Sequence, residues 1–113
     1  MVKQIKVVIK NSEVNCCGVY SIENNTLTVK KGSVIRSQCS PSFKYQEKRV
    51  KQIEKCCTIE NGITVVTKDT KFVSPTAAAN FCMGYESNGL LYWKTEDKRK
   101  LKDVLKAIID KLE

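Results

Sequence analysis

The chain contains no histidine, and that one absence removes the side chain whose ordinary pKa lies nearest neutrality. General acid–base chemistry near pH 7 would then have to rest on shifted carboxylates, lysines or thiols. Gly-x-Ser-x-Gly, a phosphate-binding glycine loop and His-Glu-x-x-His are absent too. Asp69 and the pair Glu96-Asp97 lie in predicted turns, where carboxylates ordinarily serve the turn itself. Neither an enzyme nor a cofactor is expected.

Cys-x-x-Cys is missing as well, although the chain has six cysteines, placed as Cys16-Cys17, Cys39, Cys56-Cys57 and Cys82. Neighbouring cysteines aim poorly at one metal, and in a strand they point to opposite faces. A disulfide scaffold would need an oxidising compartment, and nothing directs the chain to one. Free thiols packed as small apolar groups are the expectation, with no metal site. Long apolar runs are absent: none approaches the ~18 residues of a membrane span. The opening Met1-Val2-Lys3-Gln4-Ile5-Lys6 alternates charge with apolar residues and has no signal-peptide core. A cytoplasmic location and no membrane partner are expected.

What is present is positive charge. Twenty lysines and arginines face twelve carboxylates, a formal net charge of +8 on 113 residues. Such an excess favours polyanions, nucleic acid first, through counterion release, although a lysine-rich composition alone would also produce it. The length suits one domain, residues 1–113, and no low-complexity linker interrupts it.

Ile5, Val7 and Ile9 alternate with Lys6, Val8 and Lys10, predicting a strand. Cys16 to Ile22 and Thr26 to Val29 predict a hairpin turning at Glu23-Asn24-Asn25, and Val34-Ile35-Arg36 a short strand. Ser42 is a candidate cap for a helix to about Cys57, with Phe43, Val50, Ile53 and Cys57 on its apolar side. Lys44, Lys48, Lys51 and Lys55 fall together on the other side, with Glu47 and Glu54 near enough in sequence to pair with them. Asn61-Gly62 predicts a second hairpin, and Lys71-Phe72-Val73 a strand. Ser74-Pro75 opens an alanine-rich helix that Gly84 ends. Leu90 to Lys94 reads as a short aromatic strand. Leu101, Val104, Leu105, Ile108, Ile109 and Leu112 mark a final amphipathic helix from about Lys98. The expected fold is α+β, a single domain whose antiparallel sheet of hairpins is covered by about three helices.

Two clusters carry candidate binding chemistry. The stripe Lys44, Lys48, Lys51, Lys55 can track phosphates, or simply solvate a helix. The loop Ser87-Asn88-Gly89 can offer backbone N–H groups and an amide to a phosphate or base edge. Tyr85, Tyr92 and Trp93 can stack on bases, with Lys94 as an adjacent cation. The alternatives are a loop that fastens the fold and a Trp93 that belongs to the core.

Ser74 to Ala79, Gly84, Asn88-Gly89 and Trp93-Lys94, followed by the register opening at Leu101, resemble the signature of the restriction enzyme adenine methylase associated (RAMA) domain. They resemble still more a domain of unknown function found C-terminal to GIY-YIG nuclease-type modules, which also shows a Gly-Ser step like Gly32-Ser33. The resemblance spans about residues 16–105. Tyr85 stands where that family often has arginine, Leu90 where it often has tryptophan, and Asp97-Lys98 replaces an Asp-Gly turn. The resemblance implies a non-catalytic DNA-associated module of bacterial restriction-modification or nuclease systems, with modified DNA among its expected ligands and a nuclease or methyltransferase as partner. The competing expectation is a protein-interaction or architectural domain, docking a partner enzyme or dimerising through Leu90, Leu91, Tyr92 and Trp93.

Overall fold

A computed structural model of the chain describes residues 3–112. It is one α+β domain with a curled, wholly antiparallel sheet of seven strands. The strands are β1 (Gln4–Lys10), β2 (Asn15–Ser21), β3 (Thr26–Val29), β4 (Val34–Ile35), β5 (Cys57–Glu60), β6 (Ile63–Val66) and β7 (Thr70–Phe72). The helices are α1 (Gln46–Cys56), α2 (Pro75–Met83), the single turn α3 (Gly89–Tyr92) and α4 (Leu101–Leu112).

β2 is the spine. One of its edges carries β1 along the full strand. Its other edge is shared, with β3 opposite Gly18 to Ser21 and β4 opposite Asn15. From that fork β3 leads to β7, and β4 leads through β6 to β5. Alternation decides the two faces. Ile5, Val7, Ile9, Cys16, Tyr20, Leu27 and Val29 point inward to a core completed by α2, Trp93 and Leu101. Both predicted hairpins form, with Asn25 at φ 55° and Asn61-Gly62 at φ 52° and 78°, the positive angles such tight turns require.

α2 follows its sequence signals closely. The Ser74 hydroxyl accepts from the Ala77 N–H at 3.1 Å, Pro75 occupies the first turn, and Gly84 closes the helix at φ 75°. α1 departs from them. It starts at Gln46 behind Tyr45 with no side-chain cap, because Ser42 lies in the preceding turn and Phe43 is drawn into the core. Its inner face is Arg49 and Cys56, while Val50 is 52% exposed. Ile53 and Cys57 keep their expected place against the core, but Val50 gives up its place to Arg49, which meets a polar demand from α2, whose last carbonyls need donors. Arg49 supplies one of them through a 2.7 Å bond from Nε to the Phe81 carbonyl. The segment expected as a strand at Leu90–Lys94 divides in two. Gly89–Tyr92 winds into α3, and only Lys94 pairs with β1, opposite Val8.

The thiols are free, with Cys16, Cys56 and Cys82 buried and Cys17 exposed on the sheet. Burial and a hydrogen bond with Cys56 push the Cys57 thiol up to about 12, and burial raises Cys82 well above the usual range. At pH 8, iodoacetamide is expected to modify Cys17 first and to reach Cys16, Cys56 and Cys82 only on unfolding. Equal rates at all six cysteines would contradict this packing.

Candidate functional site

The loop from Pro41 to Tyr45 brings Phe43 and Tyr45 edge to face, with ring centroids 5.7 Å apart, over the start of α1. Opposite them stands the first turn of α2. Between the two lies a groove of about 320 Å3 whose lining includes Phe43, Tyr45, Phe72 and Phe81, with Lys48 and Arg49 from α1. A shallower cleft of about 490 Å3 continues from it past Lys44, Glu86, Ser87 and Asn88. Tyr45, Thr76 and Asn80 line both, so they form one trough.

The polar atoms of the trough are mostly donors. The Ser74 and Thr76 oxygens accept from Ala77 N–H and Gly89 N–H, each at 3.1 Å. Asn80 Oδ1 accepts from Ser87 N–H at 2.7 Å, which leaves the Asn80 amide NH2 and both hydroxyl protons to donate outward. The deeper groove has no carboxylate in its lining. Aromatic walls, outward donors and an ammonium suit an anion attached to a flat ring.

Of the residues singled out from the sequence, Lys44, Lys48, Ser87 and Asn88 meet around this trough. Lys48, Lys51 and Lys55 share one exposed flank of α1, and among the described residues none has a carboxylate within 4.0 Å. The pairing expected from Glu47 and Glu54 does not form. Lys44 is instead tied to Glu86 at 3.2 Å, and that hydrogen bond and charge raise its pKa.

The remaining candidates do other work. Trp93 has no exposed surface, and its Nε1 donates to the Pro75 carbonyl at 3.0 Å, so the indole is core and offers no face for stacking. Gly89 is buried with its N–H spent on Thr76, and Asn88 caps α3 by accepting from Leu90 N–H at 3.0 Å. Ser87 is buried, its hydroxyl donating to the Tyr85 carbonyl at 3.0 Å. Tyr85 is half-buried under the Arg36 guanidinium, 5.6 Å away, and burial raises its pKa; it does not line the trough. Lys94 projects from the opposite face of the sheet beside Val8. Burial of Trp93 also breaks up the apolar patch imagined from Leu90 to Trp93, leaving Leu91 and Tyr92 each 38% exposed.

Sequence reasoning missed Tyr45, Thr76, Asn80 and Arg49. Phe43-Lys44-Tyr45 was the available signal for the first of these, an aromatic pair around a cation. Arg49 had none, because a cation in the run Lys48-Arg49-Val50-Lys51 reads as surface.

Residues 7–105 match a family described as a domain of unknown function, DUF4357. The chain belongs to that family. The DUF4357 match begins inside β1 rather than at Cys16, so the sheet spine β2, its neighbours β3 and β4 and the second half of β1 are part of the family unit. It also takes in every residue of the trough and ends within α4. No curated protein and no solved structure gives a significant match to this DUF4357 chain.

Proposed function

We propose that this DUF4357 domain is a non-catalytic DNA-binding accessory module. The observation that carries the reading is the flank Lys48, Lys51, Lys55, free of carboxylate partners and running directly into an aromatic groove whose lining has no acid. The lysines engage backbone phosphates, and the groove receives an unstacked base on Tyr45, with the Asn80 amide and the Ser74 and Thr76 hydroxyls as hydrogen-bond donors. The likeness to RAMA and to modules behind GIY-YIG nucleases extends the proposal to restriction-modification or nuclease systems, with modified DNA as a ligand and a nuclease or methyltransferase as the partner. No helix among the described residues is long and apolar enough to cross a membrane.

The test is a salt-graded binding titration on unmodified and adenine-methylated duplexes. Lys48→Gln with Lys51→Gln is expected to weaken binding on every sequence and to flatten the slope of log K against log salt by about 1.8, two phosphate contacts at ~0.9 each. Unchanged binding by that double variant would remove α1 from the interface.

A further inference from the structure

The strand register places a second set of lysines on the face of the sheet turned away from the helices. Lys6 lies opposite Val19, Val19 opposite Thr28, and Thr28 opposite Lys71. Cross-strand partners in antiparallel pairs point to the same side, so Lys6 and Lys71 end one row across β1, β2, β3 and β7. In the next row Val8 lies opposite Cys17 on one side and Lys94 on the other, and Lys94 lies opposite Lys100. Trp93 and Leu101, the neighbours of those two lysines, turn inward and are fully buried. Lys10, two residues beyond Val8 along β1, points outward with them. Lys6, Lys10, Lys71, Lys94 and Lys100 are all exposed, and among the described residues none has a carboxylate within 4.0 Å. Asp69, at the rim, is held by Lys30 at 2.8 Å.

The geometry assigns to this outer face a second docking surface, whose occupant is the sugar–phosphate backbone of duplex DNA. The inference rests on the reading of the domain as a DNA-binding module and adds a face that the α1 trough does not include. Charge complementarity argues for it: five unpaired ammonium groups share one side of a sheet. Spacing argues for it too. Three strand intervals of ~4.8 Å set Lys6 and Lys71 about 14 Å apart at the backbone, near the ~12 Å width of a major groove, so their amines reach phosphates on both lips. Between them in that row lie Val19 and Thr28, with Val8 and Cys17 in the next row. Of these only the half-buried Thr28 has a hydroxyl, and a single hydroxyl lacks the bidentate pairing that tells one base from another. The surface therefore holds backbone without regard to sequence. It also lacks the aromatic side chains that a lipid interface would call for.

The test uses the full chain with Lys6→Gln, Lys71→Gln and Lys94→Gln together. All three positions are exposed, and an unchanged thermal midpoint verifies folding. The expected result is a salt slope flatter by about 2.7, three contacts at ~0.9 each, with weakening equal on every duplex sequence. Unchanged affinity, or a loss confined to particular sequences, would overturn the inference. Poly-glutamate bound as tightly as duplex at the same salt would overturn the choice of occupant. Run beside the Lys48/Lys51 variant, the experiment separates the two surfaces. Weakening by the sheet variant alone supports the outer face and rejects α1. Weakening by the α1 variant alone does the reverse, and no effect from either rejects both.

Discussion

Gly89→Ala is expected to destabilise the domain by about 3 kcal/mol or more, a large effect for one methyl group. A Cβ at this position would lie 2.2 Å from the Pro75 carbonyl carbon, 2.3 Å from its oxygen and 2.4 Å from the Thr76 nitrogen. All three are backbone atoms at the start of α2, and none can rotate aside. Relief requires α3 to move away from α2, which would break the Gly89 N–H bond to Thr76 and the Trp93 bond to Pro75. The indole, fully buried between them, would lose its packing as well. For a domain of this size the thermal midpoint should fall by at least about 12 °C, at ~4 °C per kcal/mol. Asn88→Ala is the control beside it. It removes only the cap of a one-turn helix and should cost about 1 kcal/mol. Equal midpoints for Gly89→Ala and wild type would show that the α2–α3 contact is not as close as described.

Arg49→Met is expected to cost about 3 to 5 kcal/mol, measured by urea denaturation. The guanidinium is 4% exposed and, among the described residues, has no carboxylate partner. Its charge is balanced by dipoles. Nε donates to the Phe81 carbonyl at 2.7 Å, another nitrogen donates to the Arg36 carbonyl, and the third approaches Cys39 Sγ at 3.6 Å. Phe81 belongs to the last turn of α2, the negative end of that helix, where a cation is stabilised. Backbone N–H groups serve the adjoining carbonyls, Gly84 donating to Asn80 at 2.9 Å and Arg36 to Cys82 at 2.9 Å. Methionine can fill the volume but leaves the buried Phe81 carbonyl and the partly buried Arg36 carbonyl without their donor. Arg49→Lys should not rescue stability, because a single ammonium cannot reproduce the planar fork that reaches both carbonyls. A methionine variant as stable as wild type would show that α1 is held by its apolar contacts alone. Arg49 also lines the groove, so binding by any Arg49 variant has to be read against its stability.

These two residues mark where local pattern stops being informative. The hairpins at Asn25 and Asn61-Gly62, the Ser74 cap, the Gly84 stop and the inward alternation of β1 are short-range choices, each favoured by the residues that make it. They were legible one segment at a time. The site was legible only in part. Lys48, Lys51 and Lys55 could be placed on one helix flank from spacing alone, but their freedom from carboxylates depends on where Glu47, Glu54 and Glu86 come to rest. Trp93 was open to stacking or to the core from the sequence, and the Pro75 carbonyl decided for the core. Val50 was placed on the apolar side of α1, and Arg49, which carried no signal of its own, took the buried position because it serves the Phe81 carbonyl.

The amino-acid sequence by itself settled the α+β class, the hairpin positions, the ends of α2, the positive excess and the α4 register at Leu101, Val104, Leu105 and Ile108, because each depends on neighbours a few residues away. Of the same register, Ile109 is exposed and the Leu112 side chain lies outside the described residues. Tertiary structure alone decided the fork at β2, the trough between α1 and α2, the rotation of α1 about Arg49 and the gathering of five lysines on the outer face. Each of these depends on which distant donors, acceptors and strand edges meet, and contacts at long separation leave no periodic trace in the chain.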